Sequence, residues 1–219
     1  MVINWYGQGC FKIQSGELAL LIDPFSTKGG FASGGENSVG LTPPRFKADI
    51  TVKTFSSYPL PYHHQSSPAE IVGPGEYEIR GVAITGWPIN HGKSAEAKSE
   101  KFLQSVYSIE MEEINIGVLG ALKELPDASI LEELGQADFL IIPAGGSPYI
   151  RQEQAAKLIK QINPKIVLAS FFKVPGLKEK IDDYKDFLKE LSQTAEPQEK
   201  LTIKKKELPA STKVVVLKI

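Results

Sequence analysis

One cysteine, three histidines and two tryptophans stand in a chain of 219 residues. With Cys10 alone no intramolecular disulfide can form, which fits a reducing cytoplasm. No apolar run reaches the ~18–20 residues that a helix needs to span a bilayer. The opening "MVINWYGQGCFKI" has no basic region followed by a long apolar stretch, so no secretory leader is expected. An excess of one charge is missing too, since 25 Lys+Arg stand against 26 Asp+Glu for a net charge of −1. Nucleic-acid and membrane-surface proteins usually carry a basic excess. The densest basic cluster here, Lys204, Lys205 and Lys206, reads as a solvated strand end. The expectation is a soluble, cytoplasmic protein with neither nucleic acid nor membrane as partner.

What the chain does have is apolar residues, 42% of the total, enough for a sizeable core. The first half reads as short strands: "VINWYG" (2–7), "CFKIQS" (10–15), "LALLID" (18–23), "FKADITV" (46–52), "SVYSIEM" (105–111) and "INIGVLG" (114–120). "SGE" (15–17) is a hairpin turn, and the Gly-Pro-Gly of "GPGEYE" is another turn, lacking the lysine, hydroxyl and helix of a phosphate loop. Residues 26–45, rich in Gly, Ser and Pro, read as a surface loop. In the second half, helical spacing predicts helices over 127–136, 151–162 and 178–192, alternating with the strands "ADFLIIP" (137–143) and "KIVLAS" (165–170). Strands first and alternating elements later imply stacked sheets with helices outside. No repeat and no linker appears, so residues 1–219 read as one domain, with 2–120 and 137–219 each expected to supply one sheet and its outer helix.

The order of "WYGQGCFKI", "LLIDPF", "PPRFKADITV", "GPGEYEIRGVAITG", "VLGAL", "FLIIPAGG" and "IVLASFFKVPGL" resembles the metallo-β-lactamase-fold zinc-dependent hydrolases of the ascorbate-6-phosphate-lactonase-like branch, almost end to end. The resemblance implies an α/β (α+β) fold, a four-layer αββα sandwich with one or two zinc ions at one edge of the sheets. In such proteins the metal activates a water for hydrolysis, and zinc needs about four N, O or S ligands. The resemblance also implies a His-x-His-x-Asp-His loop after "ADITV", a His-Leu-Gly-Asp segment and a late histidine. This chain has Phe55, Ser57, Pro59 and Leu60 at the loop positions, Val118 and Ala121 in the second segment, Phe171 at the last, and Gln8 where the branch has a Gly-His pair. Among these positions His91 alone keeps an imidazole, with His63 and His64 as displaced candidates that have no aspartate close by.

Apolar residues at vacated ligand positions are expected to fill the pocket, with Phe55 and Phe171 converging near Val118, Ala121, His91 and Gln8. On this reading no catalytic residue and no cofactor is expected, and zinc is the alternative cofactor. Cys10 lies in an apolar strand and reads as a core cysteine. Asp23 and Asp49 read as scaffold carboxylates that bond loop backbone. The amides of "AGGSP" (144–148), between a strand and a helix, are candidates to hold an anion. The expected function is a catalytically inactive relative that serves as a binding or assembly subunit. The alternative is a hydrolase of phosphoesters, lactones or similar substrates with a reduced or relocated metal site. The sequence names no partner and leaves a homo-oligomer open.

Overall fold

The computed structural model describes residues 1–25, 40–57, 69–89 and 102–219. Strands β1 (Val2–Trp5), β2 (Phe11–Ser15) and β3 (Leu18–Ile22) are antiparallel neighbours, with Gly16 in the left-handed region at the β2–β3 turn. Beyond them β4 (Ile50–Lys53) and β6 (Ala69–Val72) run parallel to β3, and a short β5 (Phe55–Ser57) follows β4. The period-2 alternation of this sheet sends Ile3, Trp5, Phe11, Ile13, Leu20, Ile22, Ile50 and Val52 into the core. The opposite face carries Tyr6, Cys10, Lys12 and Leu21, backed in part by Leu41 and Phe46.

A second sheet is built from β7 (Gly75–Ile79), β8 (Val82–Pro88), β9 (Phe102–Met111), β10 (Ile114–Val118), β11 (Phe139–Pro143) and β12 (Ile166–Ser170). Two short strands from the C-terminal region, β13 (Leu201–Thr202) and β14 (Lys213–Val215), complete the pair. The six-stranded sheet has the order β13-β1-β2-β3-β4-β6 and the eight-stranded sheet β14-β12-β11-β10-β9-β8-β7, with β5 pairing to β9 off that path. One cluster of buried residues drawn from both sheets forms the core. Two stacked mixed sheets with few helices make this a metallo-β-lactamase fold, as the sequence implied.

Helices α1 (Ala128–Leu134), α2 (Gln152–Ile162) and α3 (Lys185–Glu190) gather in one layer, since α2 touches α1, α3 and β11. α2 buries Ala155, Ala156, Leu158, Ile159 and Ile162 and stops at Asn163, whose left-handed φ of 53° precedes Pro164. Among the described residues no helix covers the outer face of the six-stranded sheet, and none is long and apolar enough to cross a membrane.

Two expectations need correction. The chain does not change sheets between 120 and 137. It changes at Gly73-Pro74-Gly75, where both glycines have positive φ, so β7 to β10 already belong to the second sheet and β13 returns to the first. The change of rhythm from hairpins to alternating elements takes place inside the eight-stranded sheet. The last helix is also shorter than its periodicity predicts. Asp182 donates its N–H to Gly145 O at 3.0 Å and its carbonyl accepts from Lys173 N–H at 2.9 Å, so its backbone is engaged elsewhere and helix starts only at Lys185.

Tyr107 is a polar tie between the two sheets. It stands on β9, fully buried, and its hydroxyl lies 3.1 Å from Lys53 O and 3.0 Å from Gly73 O, both at ends of first-sheet strands. Gly86 makes the room, because a Cβ there would lie 2.6 Å from Tyr107 Cε1. Burial holds the phenol far above its usual pKa, so it stays a donor. Tyr107→Phe is expected to leave buried carbonyls without that donor and to cost about 1–3 kcal/mol. Urea unfolding of the two proteins checks this, with an unchanged midpoint as the contrary result.

Candidate functional site

The parallel strands β3 and β4 of one sheet and β10, β11 and β12 of the other end at one edge of the sandwich. Side chains just past those ends tie the sheets together. Asp23, following β3, is buried and accepts from Thr54 N–H at 2.7 Å on Oδ1 and from Thr54 Oγ1 at 2.6 Å on Oδ2. Thr54 in turn lies against Gly120, just past β10, where any Cβ would collide with the Thr54 hydroxyl and φ is +57°. Ser105 N–H donates to Thr54 O at 2.8 Å. On the other side, Phe171 N–H, just past β12, donates to Gln8 O at 3.2 Å, and the same carbonyl accepts from Trp5 Nε1 at 2.9 Å. Gly9 fills the space between: a Cβ there would lie 2.8 Å from Phe171 Cζ and 3.1 Å from Asp23 Oδ2.

Gln8, Asp23 and Phe171 all adopt positive φ, at 52°, 42° and 46°. Left-handed backbone at a bulky residue such as Phe171 costs on the order of 1–3 kcal/mol and persists where packing over-determines it. Complete burial of the Phe171 ring contributes a similar ~1.5–3 kcal/mol. That burial offsets the strain.

Phe171 packs on Tyr149 with ring centroids 4.6 Å apart. Gln8 Nε2 donates to Glu179 Oε2 at 2.5 Å, and the Tyr149 hydroxyl donates to the same oxygen at 2.8 Å. The structure therefore brings Gln8 and Phe171 together. Phe55 follows Thr54 in the chain, and its ring stacks on Phe102 with centroids 5.1 Å apart. Val118 is buried at the end of β10, and Ala121 is half-buried just beyond Gly120. Ser57 ends β5. Pro59, Leu60, His63, His64 and His91 lie outside the described residues.

Asp23 and Asp49 bond backbone as expected, Asp49 accepting from Ala19 N–H at 2.8 Å and pairing with Arg80. Cys10 is buried, and burial first and the Asp23 charge second push its thiol far up, away from nucleophilic use. The anion reading of 144–148 is corrected: Ala144 and Gly145 already give their N–H groups to Ser170 O and Phe171 O, and α2 begins only at Gln152. Sequence reasoning missed Thr54, Tyr149 and Glu179. Thr54 stood directly before a candidate position. Glu179 falls within the predicted helix 178–192, and nothing local separates it from the charged residues around it.

The donor set here can be set against what zinc requires. The described side chains at the strand ends are Gln8, Asp23, Phe55, Val118, Ala121 and Phe171. With Glu179 beside Gln8 they offer two carboxylates, Asp23 already accepting twice from Thr54 and Glu179 accepting from Gln8 and Tyr149, and no imidazole among the described residues. Among the described residues no three of His, Cys, Asp and Glu gather as a metal group. The described residues alone do not make up a zinc centre of the kind the resemblance implied, and the three histidines lie outside them.

The family model for the beta-lactamase superfamily domain matches residues 2–170, and the chain belongs to that family. A metal-dependent hydrolase of Methanoculleus marisnigri is 22% identical over 199 residues, covering 84% of this chain and 87% of its own. A Thermotoga maritima structure described as a Zn-dependent hydrolase of the metallo-β-lactamase superfamily superposes with a TM-score of 0.73 at 25% identity, covering 99% of this chain and 97% of that one. An isothiocyanate hydrolase from Delia radicum gut bacteria shares the fold at 13% identity, with a TM-score of 0.63 over 93% of this chain and all of its own.

Asp23 gives this edge a pH dependence. Burial raises its pKa from 3.8 to about 7, against the opposing hydrogen bonds from Thr54 and the charge of Lys53. The folded chain then holds a proton that the unfolded chain releases near its ordinary value. The stabilisation is complete below about pH 4 and is lost as pH rises through about 7. Asp23→Asn keeps an acceptor for Thr54 N–H and removes the titration. Thermal melts from pH 4 to 8 are expected to show a fall in the wild type that is flattened in the variant. Parallel profiles would contradict the assignment.

Proposed function

We propose that this member of the beta-lactamase superfamily is a catalytically inactive relative of the metal-dependent hydrolases and serves as a binding or assembly subunit. The supporting observation is the packing of the strand-end edge. Phe171 wedges against Gly9 beside Asp23, and Gln8 is committed to Glu179, at positions where the resemblance calls for imidazoles. Water activation in this family depends on a metal that lowers the pKa of a bound water towards ~7. An aromatic ring and an amide do not supply that. Filling the edge with apolar side chains also removes the cost of clustering unliganded histidines and carboxylates.

A second reading has its own support. The relatives that span nearly the whole chain carry the name of metal-dependent hydrolases. The three histidines follow β5 and β8 in the sequence. On that reading a reduced or relocated metal site, with zinc as the metal, serves a hydrolase of phosphoesters, lactones or similar substrates.

Metal content separates the two. Protein purified without chelator or added zinc is expected to hold well under one metal per chain, and EDTA is expected to leave its melting temperature within a few degrees. A stoichiometric metal lost on substituting His63, His64 or His91, together with turnover of a phosphodiester or lactone, would favour the second reading.

A further inference from the structure

Between β12 and α3 the chain leaves the core as a loop that closes on itself. Lys173 N–H donates to Asp182 O at 2.9 Å, so residues 173–182 start and end together, the geometry of an Ω-loop. Ile181 is its one buried residue; Val174, Leu177 and Glu179 are half-buried and the others are exposed. The root is pinned a second time, where Asp182 N–H donates to Gly145 O at 3.0 Å just past β11. The tip lies on the outer side of the six-stranded sheet. There Leu177 packs against the cluster of Cys10, Leu21 and Phe25, and Gly176 runs so close to Gly40 that a Cβ on Gly40 would lie 2.3 Å from Gly176 O. Between root and tip, Glu179 Oε2 accepts from Gln8 Nε2 at 2.5 Å and from the Tyr149 hydroxyl at 2.8 Å. Gln8 follows β1 and Tyr149 follows β11, so the two partners come from different sheets. Both touch Phe171, Gln8 through its carbonyl and Tyr149 through its ring.

We propose that residues 173–182 form a lid over the strand-end edge, latched by Glu179, that opens while both sheets stay folded. One buried side chain gives the span little apolar burial, and segments of that kind open at a free energy well below that of the whole fold. Its polar hold is Glu179, whose two bonds are charge-assisted and so about twice as strong as neutral ones. Burial first, and Glu179 second, keep the Tyr149 phenol far above its ordinary pKa, so that hydroxyl stays a donor to the latch. Both ends of the lid stay in place when it opens, because the backbone bonds among Lys173, Asp182 and Gly145 lie at the root. The moving part is then 174–181. Its release takes Glu179 off Gln8 and Tyr149, the residues that touch Phe171. A ligand or partner chain that reaches Phe171 meets this lid first, whether the edge is metal-free or a metal is held by other residues. The inference therefore goes beyond both readings of the edge and does not rest on metal content.

The test is limited trypsin digestion of the protein as purified, with the cut bond identified from fragment masses. The bond after Lys180 leads into buried Ile181, so trypsin cuts it only when the span is released. With opening and closing fast, the rate of that cut follows the open population. The wild type is expected to be cut there slowly, at a rate that rises only weakly with urea, because a local opening exposes little surface. Glu179→Gln is expected to be cut at that bond about tenfold faster. If that variant loses its cooperative melt, Tyr149→Phe stands in: it keeps the ring on Phe171, removes one latch donor and is expected to be cut a few times faster. Three results would overturn the proposal. One is a wild type cut at Lys180 as fast as the unfolded chain. Another is a cut whose urea dependence matches that of global unfolding. The third is a folded variant cut no faster than the wild type.

Discussion

Asp23 holds Thr54 by two hydrogen bonds, and the strand-end edge is arranged around that pair. Through it the end of β3 is tied to the end of β4, and the Thr54 side chain then occupies the space that Gly120 leaves free at the end of β10. Three strands from two sheets are thus located by one buried carboxylate. Its own cost is visible in a positive φ and in a raised pKa, so the carboxylate is an expensive group kept where the sheets must meet. Tyr107 repeats the arrangement further along, reaching from β9 to the ends of β4 and β6. The geometry that would bring metal ligands together depends on these ties and on strand order, not on the ligands. That is why an edge lined by phenylalanine and glutamine still has the architecture of the beta-lactamase superfamily.

Phe171 holds a left-handed backbone and recovers the strain by burying its ring against Tyr149 and Gly9. Gln8 keeps a left-handed position as well and finds Glu179 as a partner for one end of its amide. The other end has no such partner among the described residues.

Much of the sandwich was legible because period-2 burial writes itself directly into a sequence. Ile3, Trp5, Phe11, Ile13, Leu20 and Ile22 alternate on the page as they do in the core. Sheet membership was less legible. Gly73-Pro74-Gly75 was visible as a turn, but a turn between strands of one sheet and a crossover between two look alike locally; only the pairing of β7 with β8, and of β8 with β9, tells them apart. The periodicity over 178–192 was real for Ile181, Phe187 and Leu188, yet backbone bonds from Asp182 to Gly145 and Lys173 kept helix from the first part of it. For the same reason Glu179 was hidden: its partners are Gln8 and Tyr149, 171 and 30 residues away, and no local pattern records such separations. Positions 55, 118, 121 and 171 could be singled out only against the pattern of the family the sequence resembles, since an isolated phenylalanine carries no sign of a site.

The indole of Trp5 gives this edge an optical consequence. Trp5 is one of two tryptophans in the chain, is 3% exposed, lies stacked on Phe172 with centroids 4.4 Å apart, and donates its ring N–H to the backbone oxygen of Gln8. A chromophore so placed emits from a dry, fixed environment, and it shares a single residue with the loop that carries the Gln8 amide. Any displacement of that loop must alter the hydrogen bond to the indole, so the fluorescence of the unlabelled protein doubles as a built-in gauge of what happens beside Phe171.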